Sequence, residues 1–133
     1  MKIVLAMGCF DLLHCGHIRH LEEARSYGDV LVVGLTMDEF VGKPGRPIIC
    51  QEERREMLEA LRCVTAVTYC HDSIHALRQW QPHVFAKGWD YTKKGLLPEE
   101  IQHCAEHKIE IRHTKENPQT TSAIIERIRC VSF

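Results

Sequence analysis

The sequence lacks the features that would place the chain in a membrane or on a nucleic acid. No apolar run approaches the roughly 20 residues that a transmembrane helix needs, and the chain opens on a strand-like run, so no signal peptide is expected. The formal net charge is −1, which gives no electrostatic reason to bind nucleic acid or a membrane surface. We therefore expect a cytoplasmic protein with small-molecule partners.

Cysteine pairs of the Cys-x-x-Cys type are also missing. The seven cysteines are an odd number and are expected to be reduced thiols. Among the nine histidines, His103 and His107 are spaced to share one helix face as a metal pair. A solvated helix face is the reading that we favour, so no protein-held metal site is predicted. A metal-storing or redox protein is one alternative class.

Two common phosphate-binding motifs are absent. There is no Gly-x-Gly-x-x-Gly and no Gly-Lys-Ser/Thr, so neither the usual dinucleotide-binding motif nor a P-loop is supported. The chain has 44% hydrophobic and 26% charged residues, the balance of a globular protein with a real core. With no repeat or linker in view, residues 1–133 are predicted to form one domain.

Apolar runs alternate with segments of helical periodicity along the chain. The predicted strands are 2–7, 30–35, 64–69, 83–87 and 109–113, and the predicted helices are 16–27, 51–62, 73–80, 98–107 and 121–131. Residues 38–49 and 88–97 are predicted loops, and 117–120 a turn. This alternation predicts an α/β fold with a Rossmann-like, doubly wound parallel five-stranded sheet. Ligands of such sheets bind beyond the carboxyl ends of the strands.

Two histidines lie at the junction between the first predicted strand and the first predicted helix. His14 and His17 flank Cys15-Gly16 at the predicted helix start. The free N–H groups and the dipole of a helix N-terminus favour phosphate, and imidazoles add further donors. Gly8 and Gly16 let a bulky ligand come close to the backbone. The segment therefore predicts a phosphate site.

The segment Gly8–His17 resembles the signature of the His-x-Gly-His nucleotidyltransferases, the cytidylyltransferase-like family. The resemblance implies transfer of a nucleotidyl group from a nucleoside triphosphate to a phosphorylated alcohol or sugar, with release of pyrophosphate. It implies that His14 and His17 are catalytic, binding the triphosphate and stabilising the transition state. Mg²⁺ is expected to arrive with the triphosphate, held mainly by phosphate oxygens and water. The nucleotide-binding residues that it implies in this segment are Gly8, Cys9, Phe10 and Gly16.

Cations of the first predicted loop are candidates for the reacting phosphates. The family often has a lysine on this mobile segment, which implies a catalytic role for Lys43 at the α-phosphate. A solvated loop lysine is the alternative, and Arg46 is the other cation on offer. Asp11 is a candidate on the substrate side, either holding water on Mg²⁺ or, as we favour, orienting the loop through backbone hydrogen bonds.

The helix that follows resembles the family's second block. Arg54 matches the family arginine and is implied to contact the phosphate of the accepting substrate, and Arg62 matches a second basic position. The alternative for Arg54 is a salt-bridged helix surface, since this helix is rich in glutamate and arginine.

Two later stretches complete the resemblance. Lys87–Tyr91 resembles the Lys-Gly-Gly-Asp-Tyr of heptose-1-phosphate adenylyltransferases but has Trp89, which either stacks on substrate or packs in the core. Thr120–Ser122 resembles the family's Ser-Thr-Thr block, which suits the β- and γ-phosphates, with an ordinary N-cap as the alternative. The nucleotide-binding residues implied here are Lys87, Gly88, Asp90, Thr120, Thr121 and Ser122.

The triphosphate and the acceptor are left open by the sequence. CTP with glycerol 3-phosphate is slightly preferred, and ATP with a heptose 1-phosphate-like sugar phosphate is the alternative. A non-catalytic nucleotide-binding regulator is an alternative of another class. Small members of the family are usually dimers, so a homodimer is expected by resemblance alone.

Overall fold

The computed structural model describes residues 1–132, in which five strands form one all-parallel sheet. The spatial order is β3-β2-β1-β4-β5, and the strands are β1 Ile3–Gly8, β2 Val30–Thr36, β3 Ala66–Cys70, β4 Val84–Lys87 and β5 Glu110–His113. The chain moves outward from β1 in both directions, so the order reverses between β1 and β4. The predicted fold class is confirmed.

Six α-helices connect or follow the strands. They are α1 Cys15–Arg25, α2 Gln51–Glu59, α3 Ser73–Trp80, α4 Tyr91–Lys94, α5 Pro98–Glu106 and α6 Thr121–Cys130, with a 3₁₀ turn at Asp38–Phe40. Helix α2 ends at Glu59, three residues before its predicted end. Beyond that point, the Leu61 and Val64 N–H groups donate to carbonyls three residues earlier instead of four, so the chain forms turns rather than a further α-helical turn. Helix α4 lies inside a predicted loop. None of the helices described is long and apolar enough to cross a bilayer.

Alternation along the strands divides the core between the two faces of the sheet. Val4 and Ala6 of β1 are fully buried on the face covered by α1 and α2, whereas Leu5 is fully buried on the face covered by α3 and α5. Successive side chains of a strand point to opposite faces, so both faces of β1 are apolar, as a central parallel strand requires. With both faces covered, the carboxyl edge of the sheet is left for polar residues.

Candidate functional site

A cavity of about 590 Å³ opens at the carboxyl edge of the sheet, where β1 and β4 lie side by side. Most of the residues that the sequence singles out line it, although they come from distant parts of the chain. They are Gly8, Cys9, Phe10, Asp11, His14, Gly16, His17, Lys43, Gly88, Trp89, Asp90, Thr120, Thr121 and Ser122. Their placement agrees with a shared site, and their individual roles stay predictions.

The two histidines form the N-terminal cap of α1. His14 Nδ1 accepts the Gly16 N–H at 3.0 Å, and His17 Nδ1 accepts the His14 N–H at 3.3 Å. Their rings are stacked with centroids 3.8 Å apart. A backbone N–H can only donate, so in a neutral ring the proton must lie on Nε2. Both imidazoles therefore present an Nε2–H donor, and the Nε2 of His14 is buried without a partner among residues 1–132.

Burial keeps both imidazoles neutral near pH 7. It lowers the pKa of His14, and burial together with the neighbouring His14 and His20 lowers the pKa of His17 to about 4. Neutral rings still donate through Nε2, while each Nδ1 lone pair stays engaged with a backbone N–H. The pair can thus provide hydrogen-bond donors to an anion without itself being charged.

The stability of the protein is expected to fall in acid partly because of His17. Its pKa is about 4 when folded and near 6.5 when unfolded, so protonation favours the unfolded state. The contribution of His17 is complete above pH 6.5 and is lost as the pH falls toward 4. NMR titration of the His17 ring and urea unfolding across this range measure both effects. His17→Gln should show a shallower dependence, and a His17 resonance titrating near 6.5 would contradict the assignment.

The Lys43 loop is fastened to the histidine segment by Asp11. The Asp11 carboxylate accepts bonds from Arg46 Nε at 2.9 Å, Ile48 N at 2.8 Å and Ile49 N at 3.0 Å. Burial by itself would raise the pKa of Asp11, but these donors outweigh it and hold the pKa below its ordinary value. Both oxygens are taken by the protein's own donors, which corresponds to the loop-orienting alternative rather than to substrate binding.

The start of α6 forms another part of the cavity wall. Thr120 is the N-cap, its hydroxyl accepting the Ala123 N–H at 3.0 Å, and the buried Thr121 hydroxyl donates to the Asp11 carbonyl at 2.9 Å. The ordinary N-cap alternative therefore describes Thr120, and Thr121 joins α6 to the first loop. The predicted phosphate contacts of this turn rest on its position in the cavity wall.

Comparison with known proteins identifies the family of the chain. The family model described as cytidylyltransferase-like matches residues 5–127. The chain belongs to the cytidylyltransferase-like family. The resemblance of the Gly8–His17 segment is confirmed by this match, which extends through the start of α6.

Curated relatives of this cytidylyltransferase-like chain include two bacterial proteins named bifunctional protein HldE. The one from Pelobacter propionicus is 37% identical over 132 residues, and the one from Geobacter sulfurreducens is 38% identical over 132 residues. Each alignment covers 96% of this chain and 27% of the relative, so the chain spans about a quarter of their length. A solved structure, a lipopolysaccharide core biosynthesis protein from Thermoplasma volcanium, is 26% identical with a TM-score of 0.75, covering 88% of this chain and 98% of that one.

Arg54, which the family resemblance places on the acceptor phosphate, does not line the cavity. It is 1% exposed, and its guanidinium donates to the carbonyls of Ile49 at 2.9 Å, Cys9 at 2.6 Å and Thr36 at 3.0 Å. Its Nη2 also pairs with Asp38 Oδ1 at 2.6 Å. The prediction is corrected: Arg54 is buried outside the cavity and joins the ends of β1 and β2 to the start of α2.

Arg62 and Lys87 are also outside the cavity of this cytidylyltransferase-like site. Arg62 is exposed and lines a separate depression between α1 and the α2–β3 connection. The Lys87 ammonium lies 3.6 Å from the buried Glu100 and 3.8 Å from the centre of the Tyr91 ring. Burial lowers the pKa of Lys87, although Glu100 acts to raise it. Both predictions are corrected. Lys87 instead packs against the Tyr91 ring of the segment 88–94.

The loop that follows β4 does line the cavity, through residues 88–90. Trp89 lines the cavity with 41% of its surface exposed, which excludes the core alternative for this ring. Asp90 lines it as well and pairs with Lys94 at 3.1 Å. A wall with an exposed indole and a carboxylate suits a ring bearing hydroxyl groups.

Several cavity residues were not singled out by the sequence. His20 follows His17 by three residues, so its position on the same helix face was available as a signal. The sequence gives no such signal for the others, because they come close to the histidines only when β1, β4 and β5 pair in the sheet. These lining residues are Met7, His20, Tyr91, Lys94, Thr114, Lys115, Glu116, Asn117 and Gln119; Arg46, the other candidate cation of the first predicted loop, also lines the cavity.

Proposed function

We propose that this chain transfers a nucleotidyl group from a nucleoside triphosphate to a sugar phosphate and releases pyrophosphate. The observation that carries the proposal is the stacked pair His14 and His17, which caps the N-terminus of α1 and lines the same cavity as Lys43 and Arg46. A helix N-terminus, two imidazoles and two cations together suit a polyphosphate.

The reaction needs no nucleophile from the protein. A phosphate oxygen of the acceptor attacks the α-phosphorus, the bond from that phosphorus to the bridging oxygen breaks, and pyrophosphate leaves with the electron pair. The tasks left to the chain are to align two anions and to stabilise the charge that builds on the α-phosphate and the leaving group. His14, His17 and Lys43 are proposed to do this, with Arg46 fixed beside them by Asp11.

Mg²⁺ is proposed to enter with the triphosphate. Residues 1–132 contain no group of three or more metal-ligating side chains, and both Asp11 oxygens are occupied. These donors fit a metal held by phosphate oxygens and water better than one held by the protein. When bound, Mg²⁺ would supply neutralisation of the phosphate charge.

ATP and a sugar 1-phosphate are the substrates that we propose. The relatives named HldE and the neighbour titled for lipopolysaccharide core biosynthesis support a sugar phosphate over glycerol 3-phosphate. The stretches Arg46–Ile48 and Lys87–Tyr91 resemble heptose-type adenylyltransferases, which supports ATP over CTP. The comparisons thus move the preference away from CTP. A homodimer remains an expectation, which sedimentation equilibrium would test.

Pyrophosphate release is the measurement that tests the proposal. Each of ATP and CTP is incubated with Mg²⁺ and, in turn, heptose 1-phosphate, another sugar 1-phosphate and glycerol 3-phosphate. We expect release with ATP and a sugar 1-phosphate, and much slower release from His14→Asn under the same conditions. Release with CTP and glycerol 3-phosphate alone would overturn the substrate assignment. Nucleotide binding without release on any acceptor would instead favour a regulator.

A further inference from the structure

One face of α1 holds the segment that follows β5. The Glu23 carboxylate accepts the Lys115 backbone N–H at 3.0 Å through Oε1. Its other oxygen accepts the hydroxyl of Tyr27, and that hydroxyl lies 3.4 Å from the His113 carbonyl oxygen. The Arg112 guanidinium covers the Tyr27 ring at 3.8 Å. Both carboxylate oxygens of Glu23 are therefore committed to holding this segment and the tyrosine beside it.

His20, which precedes Glu23 on α1 and lines the cavity, makes a further contact with this segment. His20 Nδ1 lies 2.7 Å from the hydroxyl oxygen of Thr114, the residue between the two positions just described. His20 and Glu23 are three residues apart and so lie on one side of α1, whereas Tyr27 follows the end of the helix. His20 and Glu23 thus hold two consecutive residues, Thr114 and Lys115.

The fastened segment leads directly into a wall of the cavity. Residues 114–117 and 119–122 line it, and at the far end the Thr121 hydroxyl is bonded to the Asp11 carbonyl. Between these ends, the Gln119 carbonyl packs so closely on α1 that a Cβ at Gly16 would lie 2.9 Å from it. The wall is thus held against the helix that carries His14 and His17.

We propose that Glu23, assisted by Tyr27, is a positioning residue that sets the distance between this wall, which begins at Thr114, and the histidine pair. Neither side chain lines the cavity, so Glu23 acts through the Lys115 backbone N–H and Tyr27 acts by donating its hydroxyl to Glu23. The hydrogen bonds that Glu23 accepts hold its pKa below the ordinary value although burial acts to raise it, which keeps it an ionised acceptor. The inference rests on the proposed function only in taking the wall to contact the nucleotide.

Glu23→Ala is expected to weaken nucleotide binding selectively. Loss of a charged acceptor for one backbone N–H and one hydroxyl should raise the Kd for a non-hydrolysable ATP analogue, and the KM for ATP, by about tenfold. The kcat and the KM for the sugar phosphate should change by less than about threefold. Glu23→Gln keeps an oxygen for the Lys115 N–H and should restore most of the binding. Glu22→Ala, at the exposed neighbouring position of the same helix, is the matched control.

Amide hydrogen exchange separates this inference from the proposed function. Exchange at residues 114–120 should be faster in Glu23→Ala than in Glu22→Ala, with or without nucleotide. Equal exchange in the two variants, or equal Kd values, would overturn the inference even if the wild type releases pyrophosphate. Faster exchange and weaker analogue binding in a protein that turns over no acceptor would keep the inference and reject the enzyme. If Glu23→Ala does not fold, Tyr27→Phe gives the same comparison, with an expected rise of about threefold in Kd.

Discussion

Replacing His14 by asparagine is expected to lower kcat for pyrophosphate release by about 10²–10³-fold while leaving the fold intact. Asparagine is a good N-cap, so its side-chain oxygen can still accept the Gly16 N–H that His14 Nδ1 accepts now. What it lacks is the Nε2–H donor on the far side of the ring. The substitution therefore separates the capping role of His14 from its proposed contact with phosphate.

Thermal unfolding and steady-state kinetics together check this prediction. The midpoint of unfolding should stay within a few degrees of the wild type, since the cap is kept, whereas His14→Ala should lose about 1 kcal/mol of stability as well as activity. His75→Asn is a suitable control because His75 is exposed and does not line the cavity. Full activity in the asparagine variant would show that the imidazole serves the helix alone.

Arg54→Ala is expected to cost about 3–5 kcal/mol of unfolding free energy, the largest stability effect that we predict. The substitution empties the space of a fully buried side chain and leaves three half-buried carbonyl oxygens without their donor, while the Asp38 carboxylate, which loses its partner too, is partly exposed. It also removes the tie between the ends of β1 and β2, next to the cavity. Equilibrium unfolding in urea measures the loss directly.

The same experiment decides between the two roles of Arg54. Arg55→Ala is the control from the adjacent position, where the guanidinium lies over the Tyr69 ring and near Glu59, and it should cost less than about 1 kcal/mol. Arg54→Lys keeps a charge but cannot make the forked set of bonds, so it too should be unstable. If it were stable, with a raised KM for the sugar phosphate alone, the role implied by family resemblance would stand and the correction would fall.

Local patterns in the sequence predicted the sheet and the histidine pair well. The apolar runs that become β1 and β2 are short and uninterrupted, and only a covered parallel sheet buries such runs on both faces. His14 and His17 lie within one helical turn of each other, so their proximity follows from local geometry alone. The proximity of these two histidines therefore does not depend on residues that are distant in the sequence.

Arg54 and Lys87 show where prediction from the sequence fails. A charged residue near a motif has the same appearance whether it faces a ligand or the interior. The decision depends on distant partners: the Cys9 and Thr36 carbonyls for Arg54, and Glu100 for Lys87. For Trp89 the reverse holds, since the ring that could have packed in the core lies at the cavity surface. The contacts of Glu23 with the segment after β5 likewise have no signature in the sequence.

The anchoring of the Lys43 segment affects the thermodynamics of ligand capture. Asp38 is held by Arg54 at one end of the segment, and Ile48 and Ile49 are held by Asp11 at the other. The chain entropy of joining these ends is therefore lost during folding, before any nucleotide arrives. The proposed contact of Lys43 with phosphate would restrict only the short stretch between the two anchors, so more of the attraction between ammonium and phosphate would be retained as affinity.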